Sequence, residues 1–216
     1  MMKKNYQLEL DKVVTNLTEN CHPRLLLHAC CAPCSSYVLE YLSRFFDITL
    51  FYYNPNITSK EEYSKRVQEV QRLLQEMPLP APVSFLAGRY DPERFFAMAK
   101  GMETLPEGGQ RCFACYRLRL TEAAAAAKTG GFDWFTTTLS ISPHKNAQKL
   151  NEIGLELAQQ AGVRWLPSDF KKRGGYQRSI ALSRQYSLYR QNYCGCIYSQ
   201  TEADQRRKGD CSLEKG

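Results

Sequence analysis

Three cysteines fall within five residues at Cys30-Cys31-Ala32-Pro33-Cys34, directly after the apolar run Leu25-Leu26-Leu27-His28-Ala29. A second pair, Cys112 and Cys115, is separated by two residues, and a third, Cys194 and Cys196, by Gly195 alone. Cys30, Cys31, Cys112 and Cys115 make four thiolates, the number that a cubane iron–sulfur cluster or a structural zinc ion requires. The Cys-x-x-Cys spacing serves both metals. Adjacent ligands such as Cys30-Cys31 are unusual in zinc sites, where paired cysteines are separated by two to four residues, and this favours the cluster. Cys34 stands three residues after Cys31. It is an alternative to Cys30, a ligand to a second metal, or the cap of the helix that follows, and the sequence leaves these open.

Cys194-Gly195-Cys196 implies different chemistry. Two cysteines one residue apart close only a tight ring, and a strained disulfide has a high reduction potential, which makes it labile. Gly195 supplies the backbone freedom such a turn needs. The pair reads as a redox relay, against the alternative of two unpaired thiols at a turn. Other polar clusters follow apolar runs. Asp169-Phe170-Lys171-Lys172-Arg173 offers cations for phosphates and, in Asp169, a candidate proton donor. Ser142-Pro143-His144-Lys145 offers His144 as an acid or base, and Tyr53-Asn54-Pro55-Asn56 offers hydrogen bonds to a polar substrate. Taken alone, the Asp169 cluster reads better as a flexible surface loop, and His144 is alternatively a surface residue at a helix start; the recurrence of polar clusters at three strand ends favours the functional reading of each.

Positioning these groups falls to alternating elements. Short β-forming runs at 24–28, 47–53, 83–86, 132–139 and 163–166 alternate with helical patterns at 35–45, 59–77, 91 onward, 112–130 and 142–162. Pro33 turns the backbone after the first run. Strand–helix alternation predicts a single α/β domain: a Rossmann-like, HUP-like parallel sheet with helices on both faces. Ligands of such sheets bind outside the strands' carboxyl ends, which is where the cysteines and polar clusters fall. Residues 8–17 read as a short helix within an N-terminal extension, 1–20. Residues 168–216 form a basic C-terminal segment, with a helix expected near 176–187.

Composition narrows the class. With 216 residues, 43% hydrophobic and 24% charged, the chain suits one soluble domain, and no window is apolar enough for a membrane helix. The N-terminal residues carry no apolar signal core, so the expectation is a cytoplasmic protein without a membrane partner. Nine cysteines in a reducing compartment point to metal ligands or catalytic thiols. The net charge of +7 is concentrated: between Arg164 and Lys208, ten Lys/Arg face three acids, and seven aromatic residues are interleaved. Cations for phosphates and aromatic faces for unstacked bases suit single-stranded or loop RNA, and a basic surface above a partly aromatic core is the alternative. Neither a Gly-rich dinucleotide fingerprint nor a Walker loop follows the first strand.

Taken as a set, His28-Ala29-Cys30-Cys31-Ala32-Pro33, Phe51–Ile57, Arg111-Cys112-Phe113-Ala114-Cys115-Tyr116, Thr136–Pro143, Ser168–Lys172 and Tyr189–Cys196 resemble the epoxyqueuosine reductase QueH family from about Arg24 to Ser199. The resemblance implies an oxidoreductase that removes the epoxide oxygen of epoxyqueuosine at the wobble base of a tRNA anticodon loop. It implies a [4Fe–4S] cluster on Cys30, Cys31, Cys112 and Cys115, a redox-active pair at Cys194 and Cys196, and an electron-donor protein or reductant. Cys34 occupies a position that varies in the family, where a second metal ion remains open. Tyr53, Asn54, Asn56, Arg111, Ser142, Lys171, Lys172, Arg173, Arg190 and Tyr193 are the candidate substrate and RNA contacts. Two further classes stay open: a cluster-dependent tRNA thiolase, which lacks its Ser-Gly-Gly-x-Asp-Ser nucleotide loop here, and a zinc-stabilised RNA-binding module, which leaves Cys194 and Cys196 unexplained.

Overall fold

The computed structural model describes residues 4–17 and 22–213. The elements run α1 (Tyr6–Thr15), β1 (Arg24–His28), α2 (Ala32–Leu42), β2 (Asp47–Tyr52), α3 (Lys60–Glu76), β3 (Ser84–Ala87), α4 (Pro92–Ala99), α5 (Gln110–Thr129), β4 (Trp134–Thr137), a 3-10 turn (Thr138–Ile141), α6 (Ala147–Ala161), β5 (Arg164–Trp165), α7 (Gly175–Gln185) and α8 (Ile197–Leu213). All strand pairs are parallel and the order is β3-β2-β1-β4-β5. The α/β architecture expected from the alternation is the one observed. Among the described residues no helix is long and apolar enough to cross a membrane.

Strand periodicity divides the core. Leu25 and Leu27 of β1, with Ile48, Leu50 and Tyr52 of β2, join Leu10, Val38, Leu39, Val70, Leu73 and Leu182 from α1, α2, α3 and α7 on one face. The intervening Leu26, Phe51 and Phe135 meet Leu120, Ala123, Ala124, Ala127, Leu150, Ile153 and Leu157 from α5 and α6 on the other. Alternate residues point to opposite faces, so an apolar run such as Leu25-Leu26-Leu27 fills both layers.

Several boundaries differ from the sequence expectation. α2 starts at Ala32 rather than Ser35, with Cys31 as its N-cap and Pro33 in the first turn, where no backbone N–H is needed. Ser142-Pro143 does not open a helix. α6 begins at Ala147 behind Asn146, whose side chain accepts a hydrogen bond of 3.0 Å from the Lys149 N–H. The C-terminal segment adds α8, which lacks an apolar stripe to announce it. Of the expected N-terminal extension, residues 4–17 lie within the described part; Leu10 is fully buried there, and Arg173 pairs with Asp11 at 2.6 Å.

β1 and β4 are neighbours whose connections leave to opposite sides of the sheet, so a crevice opens at their carboxyl ends. His28 closes its floor. The ring is fully buried; Nε2 donates to the Tyr53 carbonyl (3.0 Å) and Nδ1 accepts from Thr137 Oγ1 (2.8 Å), which itself accepts from the Leu139 N–H (3.2 Å). Burial, reinforced by the nearby Arg119 charge, pushes its pKa down to about 3. The folded chain therefore resists a proton that the unfolded chain accepts near pH 6.5. The resulting stability is complete above pH 6.5 and declines as the pH falls towards 3, by up to about 1.4 kcal/mol per pH unit. Denaturant unfolding between pH 7.5 and 5 should show this decline in the parent and a flatter profile in His28→Gln; parallel profiles would refute the assignment.

Candidate metal and redox site

Cys30 leaves β1 directly above His28. Its N–H donates to Thr138 Oγ1 (3.3 Å), and its Sγ lies 3.5 Å from the same hydroxyl and 3.7 Å from Cys31 Sγ. Cys31 caps α2 without a side-chain cap hydrogen bond, so its thiol is free to face inward. Cys34 sits one turn along α2, and the three thiols all lie within 4.8 Å of one another, a grouping able to bind a metal ion. The positive end of α2 faces them, an environment that favours thiolate. S–H donation from Cys31 and then Cys34, with the Arg119 charge nearby, holds the Cys30 thiol well below its ordinary range; the two donors are raised in consequence.

The second set comes from α5 and the approach to α8. Cys112 lies in the first turn of α5, where its Sγ accepts from the Gly108 N–H (3.2 Å). Cys115, one turn on, is buried, and burial pushes its pKa up to about 12. The Cys194-Gly195-Cys196 turn packs beside them. Asn56 Nδ2 (3.4 Å) and Arg66 (3.1 Å) donate to the Cys194 carbonyl, and the Gly195 carbonyl accepts from the Thr58 N–H (3.1 Å). Cys196 is buried against Ser199, at 3.4 Å, and burial raises its pKa. Lys145 Nζ lies 3.3 Å from both Cys194 Sγ and Glu107 Oε1. Burial alone would lower the pKa of Lys145, but Cys194, Tyr116 and Glu107 outweigh it and hold the ammonium charged.

The two sets line two neighbouring cavities that share lining residues. Cys30, Cys31 and Cys34 face an open cavity of about 280 Å³ whose wall includes Ser142, His144, Arg190 and Tyr193. Cys112, Cys115 and Cys196 face a smaller, more enclosed cavity. Cys194, Arg119, Lys145 and Glu107 belong to both. Five buried polar atoms around them have no protein partner: Arg66 Nη2, Arg119 Nε, Tyr116 Oη, Asn56 Oδ1 and Gln191 Oε1. Buried polar atoms are normally satisfied, so such a group at one place fits a polar or charged occupant. Seven unbridged thiols of soft donor character fit a transition metal or a metal–sulfur cluster.

The remaining expected residues divide. Asn54 and Asn56 brace the site: Asn54 donates to the Ala29 carbonyl (2.9 Å) and accepts from Arg119, and Asn56 holds Cys194. The Tyr53 carbonyl anchors His28. Arg111 is buried and donates to the Met102 (3.0 Å) and Glu103 (2.9 Å) carbonyls, which fixes the loop before α5. Lys171 pairs with Asp169, Lys172 reaches Asn5 (3.2 Å) and Arg173 reaches Asp11; none of these four lines either cavity. Sequence reasoning missed Arg66 and Arg119. Arg119 had a legible signal, since it stands four residues after Cys115 and seven after Cys112 and so shares their helical face. Arg66 lies in a run of mixed charges and had none.

Comparison with known proteins matches residues 25–202 to a family described as "Epoxyqueuosine reductase QueH". Proteins of that name are similar across nearly the whole chain. The one from Streptococcus pyogenes serotype M1 is 41% identical over 92% of this chain and 80% of its own length. That from Staphylococcus aureus (strain Mu50) is 40% identical over 91% of this chain and 85% of its own. That from Thermotoga maritima is 34% identical over 89% and 97% respectively.

Gly195 permits the cysteine turn. Its φ is +113°, and a Cβ there would fall 2.8 Å from Ile57 Cγ1 and 3.1 Å from Arg66 Nη1. Gly195→Ala keeps both thiols yet should cost about 1–3 kcal/mol and shift Cys194 off Lys145. Thermal unfolding and the alkylation rate of Cys194, followed by mass spectrometry, should both change. Parent-like values for both would show that the turn tolerates a side chain.

Proposed function

The chain belongs to the epoxyqueuosine reductase QueH family, and from that membership we propose that it reduces epoxyqueuosine in tRNA to queuosine. Both C–O bonds of the epoxide break, the two carbons are left joined by a double bond, and the oxygen leaves as water. The change consumes two electrons and two protons. Cys194 and Cys196 carry that quantity when the dithiol closes to a disulfide, and an electron-donor protein or small reductant must reopen it. Because the substrate is tRNA, the reading places the protein in the cytoplasm.

The observation that carries the proposal is the position of Cys194, which lines both cavities. It can exchange with the open cavity on one side while its partner Cys196 stays buried beside Cys115. Lys145 donates to Cys194 Sγ at 3.3 Å and orients it between the two cavities. Cys30, Cys31, Cys112 and Cys115 would hold a [4Fe–4S] cluster, with Cys34 available to a second metal ion beside Cys30 and Cys31. When bound, such a cluster supplies one-electron transfer and a Lewis-acidic iron.

Arg190 and Tyr193 offer a cation and an aromatic face at the open cavity, and Ser142 and His144 line its wall, a combination suited to a splayed-out base and its phosphate. Of the two candidate acids, His144 reaches the cavity, whereas Asp169 stays paired with Lys171. We assign His144 to proton delivery at the substrate and Asp169, with Lys171, Lys172 and Arg173, to the outer margin of the RNA surface.

Cys194→Ser and Cys196→Ser should each keep metal content and tRNA affinity while losing multiple turnover on epoxyqueuosine-containing tRNA, read by nucleoside mass spectrometry. Undiminished turnover in both variants would make the pair incidental, and loss of iron in either would make that residue a ligand.

A further inference from the structure

Arg119 is a buried cation without an acid. Its side chain is 1% exposed. The other buried cations near the site have carboxylates: Arg66 pairs with Glu62 (2.7 Å), Lys145 with Glu107 (3.3 Å) and Arg111 with Glu202 (3.5 Å). Among the described residues no carboxylate lies within ion-pairing distance of Arg119. One of its terminal nitrogens donates to Asn54 Oδ1, and its Nε has no partner. Arginine does not escape such a position by losing its proton, and an unpaired buried ion costs several kcal/mol.

The groups it faces are thiols. Arg119 lines the open cavity with Cys30, Cys31 and Cys34 and the enclosed one with Cys112, Cys115 and Cys196. Cys112 and Cys115 belong to α5, and Cys30 and Cys31 to the turn from β1 into α2, so Arg119 faces each half of the proposed ligand set. It also ties those halves together through Asn54, which donates to the Ala29 carbonyl immediately before Cys30. A [4Fe–4S] centre on four thiolates, like zinc on four thiolates, carries a net double negative charge in a low-dielectric interior. A fixed guanidinium between the two ligand-bearing segments is its natural complement.

We propose that Arg119 is the countercharge of the thiolate-bound centre: a positioning residue that stabilises the loaded site and raises its reduction potential. The inference rests on the reading that Cys30, Cys31, Cys112 and Cys115 bind one centre. Metal binding releases thiol protons, so the loaded site is more negative than the empty one. A countercharge must therefore matter more in the loaded protein, whereas a purely structural arginine matters equally in both.

The test compares the full-length parent with Arg119→Lys, Arg119→Met and Asn54→Ala. Each is measured for iron, zinc and sulfide content, for thermal unfolding with and without the metal centre, and for the midpoint potential of the centre by anaerobic titration. Arg119→Met should shift the midpoint to more negative potential and speed loss of the centre to a chelator by about 10–100-fold, the scale commanded by groups that support metal ligands. Its destabilisation should be larger in the loaded than in the empty protein. Arg119→Lys keeps the charge and should stay near the parent in potential; Asn54→Ala breaks the hydrogen bond but not the charge, and should do the same. Equal destabilisation of both forms with an unchanged midpoint in Arg119→Met overturns the proposal. If that variant does not fold, Arg119→Gln replaces it, since it keeps hydrogen-bond donors without the charge: a midpoint more negative in Arg119→Gln but not in Arg119→Lys supports the proposal, and an unchanged midpoint in Arg119→Gln overturns it. A parent that holds zinc without sulfide overturns the cluster reading, while the loaded-against-empty comparison and the chelator rates still decide the role of Arg119.

Discussion

Burying His28 neutral, with both ring nitrogens engaged, is the constraint on which the site depends. One bond reaches β4 at Thr137 and the other reaches the Tyr53 carbonyl beyond β2. The imidazole thus fixes three strand ends at the crevice where the strand order reverses. Two residues later the chain must turn into α2, and Cys30 and Cys31 emerge there. Thr137 and Thr138, at the end of β4, hold His28 and Cys30 respectively. A neutral ring suits this place better than a charged one, because burial strips it of water and Arg119 already brings positive charge to the neighbourhood.

Above that floor the site is organised by charge. Thiols are small and hydrophobic when protonated and bury readily; as thiolates they need cations. Lys145, Arg66 and Arg119 come from three different segments; all three line the open cavity with four cysteines, and Lys145 and Arg119 also line the enclosed one with Cys112, Cys115 and Cys196. Two helix N-termini, of α2 and α5, add their dipoles to the same space. Carboxylates balance Lys145 and Arg66 from the rim, leaving Arg119 to the sulfur. The division into an open cavity and an enclosed one follows from the same arrangement, with Cys194 on the boundary.

Much of this was legible in the sequence. Alternating apolar runs gave the parallel sheet because strands buried on both faces read as continuous hydrophobic segments, as Leu25-Leu26-Leu27 does. The cysteine positions were legible because soft ligands recur at recognisable spacings. Less visible was anything that depends on sequence-distant pairing. Nothing local marks Arg66 as a donor to the Cys194 carbonyl, 128 residues away. Lys171, Lys172 and Arg173 read as phosphate ligands from their charge, yet each finds an acceptor inside the protein. Cys34 stayed ambiguous because its role depends on a turn whose geometry Pro33 was expected to open; accommodating that proline in the first turn of α2 carries Cys34 inward, towards Cys30 and Cys31.

The central claim, that these thiols hold an iron–sulfur centre, is tested most directly by metal and acid-labile sulfide analysis of protein purified without oxygen. The account predicts about four irons and about four sulfides per chain, as a cubane requires, with both lost in Cys112→Ala or Cys115→Ala. Stoichiometric zinc with no sulfide, in a colourless protein, would contradict it.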